Sequence, residues 1–196
     1  MAADEAAGAI GQGGRRLRAD AQRNEDRLLE AAAAAFSREG SNASVKDIAR
    51  AAGVGVGTLY RRFPSKELLI EATYRHEVQD LCDAARELAA SNRPADALRI
   101  WMERFLDFMT TKQGMADALR VVLTDETERL STRARLNDAI DLLLAAGASQ
   151  ALTRARVEAW DVLMALGGIS LITASEHRPE LASRLIDLLL HGILAD

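Results

Sequence analysis

The densest group of side chains that could do chemistry lies in one nine-residue stretch. Its members include two hydroxyl residues, Thr58 and Tyr60, and three cations, Arg61, Arg62 and Lys66. Hydroxyls and cations donate to phosphate oxygens, and a guanidinium can also make a bidentate contact to the O6 and N7 acceptors of guanine. The stretch therefore predicts a binding site for a polyanion that carries phosphates.

Two short helices must position this stretch. Ser44 and Asp47 form a capping-box pattern at the start of the first helix, because the Ser44 hydroxyl can accept from the Asp47 amide and the Asp47 carboxylate can reach back. Gly53 ends this helix, and the second helix covers 56–62 before Pro64 breaks it. Two short helices joined by a glycine-containing turn indicate a helix-turn-helix.

The segment 44–66, SVKDIARAAGVGVGTLYRRFPSK, resembles the DNA-binding signature of the TetR family of transcriptional regulators. The resemblance extends upstream through Arg27-Leu28-Leu29 and Phe36. Gly55 departs from the serine that the family often has, but glycine caps a helix at a cost of only about a few tenths of a kcal/mol. Arg62 stands where the family commonly has histidine, and it adds a permanent charge. Neither departure changes the interpretation.

The resemblance implies which residues meet DNA. Gly57 lacks a Cβ, so the second helix could approach the bases closely, and Arg61 would face the major groove. Ser44 and the free amides beside it suit a phosphate, and Lys66 resembles the family's phosphate-binding lysine. The predicted DNA-binding residues are Arg18, Ser44, Val45, Gly55, Val56, Gly57, Thr58, Tyr60, Arg61, Arg62 and Lys66.

Composition predicts an all-α protein of about nine helices, because Ala and Leu dominate and no stretch alternates β-branched residues. We expect a disordered, basic-ended tail over 1–19, a three-helix helix-turn-helix domain over 20–66 and a helical regulatory and dimerisation domain over 67–196. The predicted helices cover 20–40, 44–53, 56–62, 66–90, 94–112, 115–123, 125–146, 153–174 and 179–194.

Charge is distributed unevenly along the chain. Residues 10–66 contain eleven Lys/Arg and six Asp/Glu, whereas residues 67–196 contain fourteen and twenty-one. A basic head on an acidic body indicates that the head meets the polyanion. Arg15, Arg16 and Arg18 could form a flexible arm in the minor groove, or the tail could be basic without contacting DNA.

In TetR-like proteins the C-terminal helices enclose a small-molecule pocket. The spacing of Trp101, Phe105 and Phe108 places three rings on one helix face, which predicts a cavity for a small hydrophobic effector with few charged anchors. Plain core packing remains the alternative. The predicted pocket residues are Trp101, Met102, Phe105, Phe108, Met109, Met115, Leu119, Leu143, Trp160 and Met164.

The last two predicted helices are rich in leucine and suggest a homodimer interface built as a four-helix bundle. The predicted interface residues are Leu163, Gly167, Leu171, Leu185 and Leu189. Together with the head, this predicts a repressor that a small apolar ligand releases from a palindromic operator on double-stranded DNA. Two alternatives stay open, a dimeric DNA-binding protein without ligand control and an activator of the same architecture.

An enzyme is the competing class. His76, His177 and His191 are scattered, Cys82 is the single cysteine, and neither HExxH nor CxxC occurs, so we expect no metal and no cofactor. Ser-His-Asp chemistry stays open, although the sequence has no nucleophile elbow or P-loop. The lone cysteine, with neither a signal peptide nor an apolar run of about eighteen residues, predicts a cytoplasmic protein without membrane contact.

Overall fold

The computed structural model describes the backbone of residues 3–119, 125–150, 152–154, 156–176 and 179–195, with side chains from residue 20 onward except 175, 176 and 179. Across these ranges the fold is all-α, as predicted. The helices are α1 (Ala3–Glu39), α2 (Val45–Ala51), α3 (Val56–Arg62), α4 (Lys66–Ser91), α5 (Pro94–Gly114), α6 (116–119, at the edge of a described range), α7 (Glu126–Ala148), α8 (Ala159–Glu176) and α9 (Pro179–Ile193).

The head consists of the C-terminal part of α1 with α2 and α3. Ser44 caps α2 by accepting from the Asp47 amide at 3.4 Å, while the Asp47 carboxylate pairs with Arg50 at 2.8 Å. Gly40 ends α1 at φ 62° and Gly53 ends α2 at φ 70°, a backbone conformation that favours glycine. These two glycines set the directions of α2 and α3.

The remaining helices, α4 to α9, form the body. The body is organised around α5, which packs against α4, α7, α8 and α9 and also against α1. Trp101 is fully buried at its centre and donates from Nε1 to the Leu81 carbonyl of α4 at 2.8 Å. Because a buried indole N–H needs a partner, this bond fixes the register of α5 against α4. None of the helices in the described ranges is long and apolar enough to cross a membrane.

Head and body meet where α5 ends against the end of α1. A Cβ built on Gly114 would lie 2.2 Å from the Phe36 carbonyl oxygen, and one on Gly40 would lie 3.1 Å from the Gly114 oxygen. The two backbones are therefore in direct contact, which leaves no room for a side chain at Gly114. This contact joins α5 of the body to the α1 part of the head.

Two helix starts differ from the predicted ones. The backbone of α1 is helical from Ala3, whereas the sequence predicts a disordered tail to residue 19; alanines there can extend a helix that the packed part nucleates. α8 begins at Ala159 and not near 153, because Thr153 forms an isolated antiparallel bridge with Leu194. The predicted helix over 115–123 lies partly outside the described residues.

Candidate functional site

α3 presents a polar face to solvent. Leu59 and Phe63 are buried and hold the helix on the head, whereas Gly57, Thr58 and Tyr60 are exposed. This division follows from the helical period, which turns residues 59 and 63 to the same side. The exposed side can reach a groove without disturbing the packing of the head.

Further donors flank that face. Arg61 is exposed, and its Nη2 donates to the Thr58 hydroxyl at 3.4 Å, a long bond that leaves most guanidinium donors available. Gly55 is also exposed, while Val45 and Val56 are half-buried and pack against the core. All of the predicted α2 and α3 residues named so far, together with Ser44, are thus exposed or half-buried.

Lys66, at the start of α4, reaches the start of α2. Its ammonium donates to the Ala43 carbonyl at 2.6 Å, directly beside the Ser44 cap of α2. An ammonium has three donors, so this bond leaves two for another acceptor. Lys66 is therefore held next to the start of α2, where sequence reasoning expects a phosphate.

Arg62 forms an ion pair with another residue of the head. Its guanidinium donates to Glu25 of α1, from Nη2 to both carboxylate oxygens at 2.7 Å and from Nε to Oε1 at 3.1 Å. The predicted phosphate contact by Arg62 would have to share or break this pairing. Sequence reasoning missed Glu25 because it is 37 residues away along the chain. The side chain of Arg18 lies outside the described residues.

A cavity of about 380 Å³ opens in the body between α4, α5, α7 and α8. Three of the predicted pocket residues on α5 and one on α8 line it, as do several that the sequence did not suggest. The lining residues are Tyr74, Phe105, Phe108, Met109, Lys112, Arg129, Thr132, Arg133, Leu136, Leu163, Met164 and Gly167.

The other predicted pocket residues are elsewhere. One group is fully or almost fully buried in the core and absent from this lining, namely Trp101, Met102, Met115, Leu119 and Leu143. Trp160 is exposed on α8. Helical periodicity identifies the apolar residues of a helix, but it does not distinguish the wall of a cavity from filled core.

The cavity is more charged than the sequence predicts. Lys112 near the end of α5 lines it together with Arg129 and Arg133 of α7. Burial lowers the pKa of the Lys112 ammonium, and the positive charge of Arg133 lowers that pKa further. The four-residue spacing of the two arginines on one helix was the signal that could have indicated them.

α8 and α9 expose an apolar face, which we define as Trp160, Met164, Leu171, Ile172 and Leu188. Of the predicted interface residues, only Leu171 belongs to this apolar face. Leu163 is buried in the body, and Gly167, Leu185 and Leu189 are half-buried. The predicted helices therefore carry exposed apolar side chains, although the predicted Leu163 is turned into the body.

Two family models match the chain. The model described as bacterial regulatory proteins of the tetR family covers residues 28–73, and the SbtR-like transcriptional regulator C-terminal domain covers 93–195. The chain therefore belongs to the TetR family of bacterial transcriptional regulators. Regulators of this family bind DNA through the helix-turn-helix and act as dimers.

Solved structures agree over nearly the whole chain. The TetR transcriptional regulator SCO0520 from Streptomyces coelicolor is 44% identical with a TM-score of 0.78, over 86% of this chain and 97% of that one. A TetR transcription regulatory protein from Mycobacterium vanbaalenii is 32% identical with a TM-score of 0.72, over 91% and 99%.

Curated relatives match over shorter stretches. The transcriptional repressor KstR2 from Rhodococcus jostii is 43% identical over 65 residues, which are 33% of this chain and 32% of the relative. The regulator SAR0097 from Staphylococcus aureus is 33% identical over 99 residues, 47% and 51% of the two lengths. The chain thus spans about half or less of the curated relatives it matches.

Proposed function

We propose that this regulator is a repressor that binds a palindromic operator as a homodimer and leaves it when a small ligand fills the cavity of the body. One observation carries the proposal. α5 lines the cavity through Phe105, Phe108 and Lys112, and it ends two residues later at Gly114, in backbone contact with α1 of the head. A ligand that moves the end of α5 must therefore also displace the head or strain this contact.

The operator contacts follow from the exposed end of the head. Gly57 and Arg61 meet base edges in the major groove, with Gly55 and Val56 at the start of α3. Thr58, Tyr60 and Lys66 bind phosphates on either side, together with Ser44 and Val45 at the start of α2. Their exposure or nearness to the exposed α3 face supports this division of roles.

Dimerisation sets the distance between the two heads. The apolar face on α8 and α9 suits a second copy of this chain, because large exposed apolar residues at helical spacing favour a four-helix bundle. Two heads must then meet successive major grooves about 34–36 Å apart. A palindromic operator is the expected target, since a two-fold dimer reads each half-site with the same residues.

Ligand control is a shift between two populations. In one form of the dimer the two heads are spaced to meet the operator, and in the other they are not. A ligand that binds the second form more tightly lowers operator affinity, at most by the ratio of its affinities for the two forms. α4 connects the head to the body directly, and α5 reaches the head through Gly114. The name of the R. jostii relative, a repressor that matches the chain at 43% identity, supports repression as the sign of regulation.

The test is selection of DNA from a random library by the purified full chain. We expect enrichment of an inverted repeat whose half-site centres are about one helical turn apart. The Tyr60→Phe, Lys66→Ala double variant provides the matched control, because it should enrich the same repeat only weakly. Recovery of no common sequence, or of a single unrepeated half-site, would contradict the proposed dimeric operator complex.

A further inference from the structure

We infer that the effector of this regulator is an organic anion with a hydrophobic skeleton and one carboxylate, and that Lys112, Arg129 and Arg133 bind the carboxylate. The inference rests on the proposed ligand control, and it names the chemical class of the ligand. It differs from the small hydrophobic effector with few charged anchors that the sequence predicts. Three features of the cavity support it in turn.

The first feature is an aromatic wall that suits the hydrophobic skeleton of a ligand. The Phe105 and Phe108 ring centroids are 6.0 Å apart, and those of Phe108 and Tyr74 are 5.9 Å apart. Leu136 and Leu163 complete the apolar part of the lining. A volume of about 380 Å³ lies within the range of small-molecule sites, about 300–1,000 Å³.

The second feature is a cluster of three cations that no described carboxylate pairs with. The lining contains three cations and no carboxylate, and within the described ranges none of Lys112, Arg129 and Arg133 forms an ion pair with a carboxylate. Lys112 lies over the Tyr74 ring instead, 6.0 Å from its centroid. Cations held together in this way repel one another, and an anion would remove that repulsion.

The location of this cluster makes it unusual in this molecule. Residues 67–196 are acidic overall, and the larger groove of about 510 Å³ between α5, α8 and α9 is lined by Glu103 and Asp107 and, among the described side chains, by no cation. An anion would be repelled from that groove and attracted to the cavity. Lys112 is half-buried and Arg129 and Arg133 are exposed, so these cations line the cavity where an anion can reach them from solvent.

The third feature is the geometry of the donors. Arg129 and Arg133 are four residues apart on α7, so both guanidinium groups lie on the same side of that helix. Guanidinium forks match a carboxylate with two parallel hydrogen bonds, and the Lys112 ammonium of α5 adds a third positive charge.

The test compares the binding of ligands that share a hydrophobic skeleton but differ in charge, using the full chain without DNA. Decanoate, 1-decanol and decylammonium are titrated by calorimetry, and 1-naphthoate is compared with 1-naphthalenemethanol as an aromatic pair. We expect the carboxylate of at least one pair to bind ten-fold or more tightly than its alcohol, and decylammonium to bind least. Equal affinity of carboxylate and alcohol in both pairs, or no binding of either carboxylate up to millimolar concentration, would overturn the inference.

Variants locate the anion. Arg133→Gln and Lys112→Gln should each remove most of the preference for the carboxylate while leaving affinity for the alcohol unchanged. Arg104→Gln provides the matched control, because Arg104 is an exposed cation on α5 that does not line this cavity. A preference that survives both cavity variants would place the anion elsewhere and contradict the assignment.

Operator release is measured separately, so the two proposals fail in different ways. If a carboxylate binds the cavity but does not displace the selected operator, the ligand class stands and ligand control is wrong. If a neutral compound binds equally well and displaces the operator, ligand control stands and the anion assignment is wrong.

Discussion

The carboxylate of Glu25 on α1 accepts from Arg62 at the end of α3 through both of its oxygens, each 2.7 Å from Nη2. The Glu25 side chain is only 22% exposed, whereas that of Arg62 is 62% exposed. The pair joins α1 to α3, between residues that are 37 positions apart in the sequence. It is a tertiary contact that holds α3, the helix with the exposed donors, on α1.

A double-mutant cycle measures this pair. We expect Glu25→Gln and Arg62→Gln each to lower the free energy of unfolding, with a coupling of about 0.5–1 kcal/mol, because one partner is largely exposed. Urea denaturation of the two single variants and the double variant gives the coupling. Strictly additive effects would show that the bidentate pair contributes nothing to the docking of α3.

In the proposed operator complex, Tyr60 and Lys66 bind phosphates. Tyr60→Phe with Lys66→Ala should weaken binding to operator and to unrelated DNA alike, because phosphate contacts carry no sequence information. The loss of one cation should also reduce the slope of log affinity against log salt by about 1. Because Lys66 also donates to the Ala43 carbonyl, the melting temperature is measured in parallel. Parental affinity and salt slope in a folded variant would contradict these contacts.

Arg61 should act on sequence preference. Arg61→Ala is expected to cost about 1–3 kcal/mol on the preferred operator and to relax preference at one position of each half-site. Titration of operators with single base substitutions checks this directly. A uniform loss on all operators would instead make Arg61 another phosphate contact.

The head was predictable from sequence because its determinants are local. The α3 bounds Val56–Arg62, the Ser44 cap and the positive φ of Gly40 and Gly53 follow from residue types within a few positions of each other. The pairing of Arg62 with Glu25 was missed, since it depends on how distant segments pack. Local chemistry thus predicted the helices but not the partners of their charges.

The body shows the same limit more strongly. The rings of α5 were recognised as one face, yet that face divides between the filled core at Trp101 and the cavity at Phe105 and Phe108. Lys112 and Arg133 look like ordinary surface residues in sequence, and only packing of α5 against α7 makes them neighbours. Whether a charged residue can contact a ligand depends on the residues that other helices place around it, and the sequence of one helix does not show them.

The apolar face should hold the dimer. Leu171 and Leu188 are 67% and 69% exposed, so Leu171→Glu with Leu188→Glu places two charges in the proposed interface without disturbing the core of one chain. We expect a folded monomer that binds the operator weakly. Sedimentation equilibrium measures the mass. Leu130→Glu on α7 is the matched control, because Leu130 is 55% exposed outside this face, and it should remain a dimer. A dimeric double variant would place the interface elsewhere.

The contact between Gly114 and Phe36 should set both stability and the response of the head. A Cβ at Gly114 would lie 2.2 Å from a backbone oxygen, so Gly114→Ala must separate α5 from α1. Overpacking of this kind costs about 1–3 kcal/mol. The displaced head should also bind the operator less tightly without any ligand. Gly192→Ala provides the control, because a Cβ there meets nothing within 4 Å, and it should stabilise α9 by up to about 1 kcal/mol. Melting curves and operator titrations of both variants give the answer. Gly114→Ala with parental stability and affinity would show that the body does not position the head through α5.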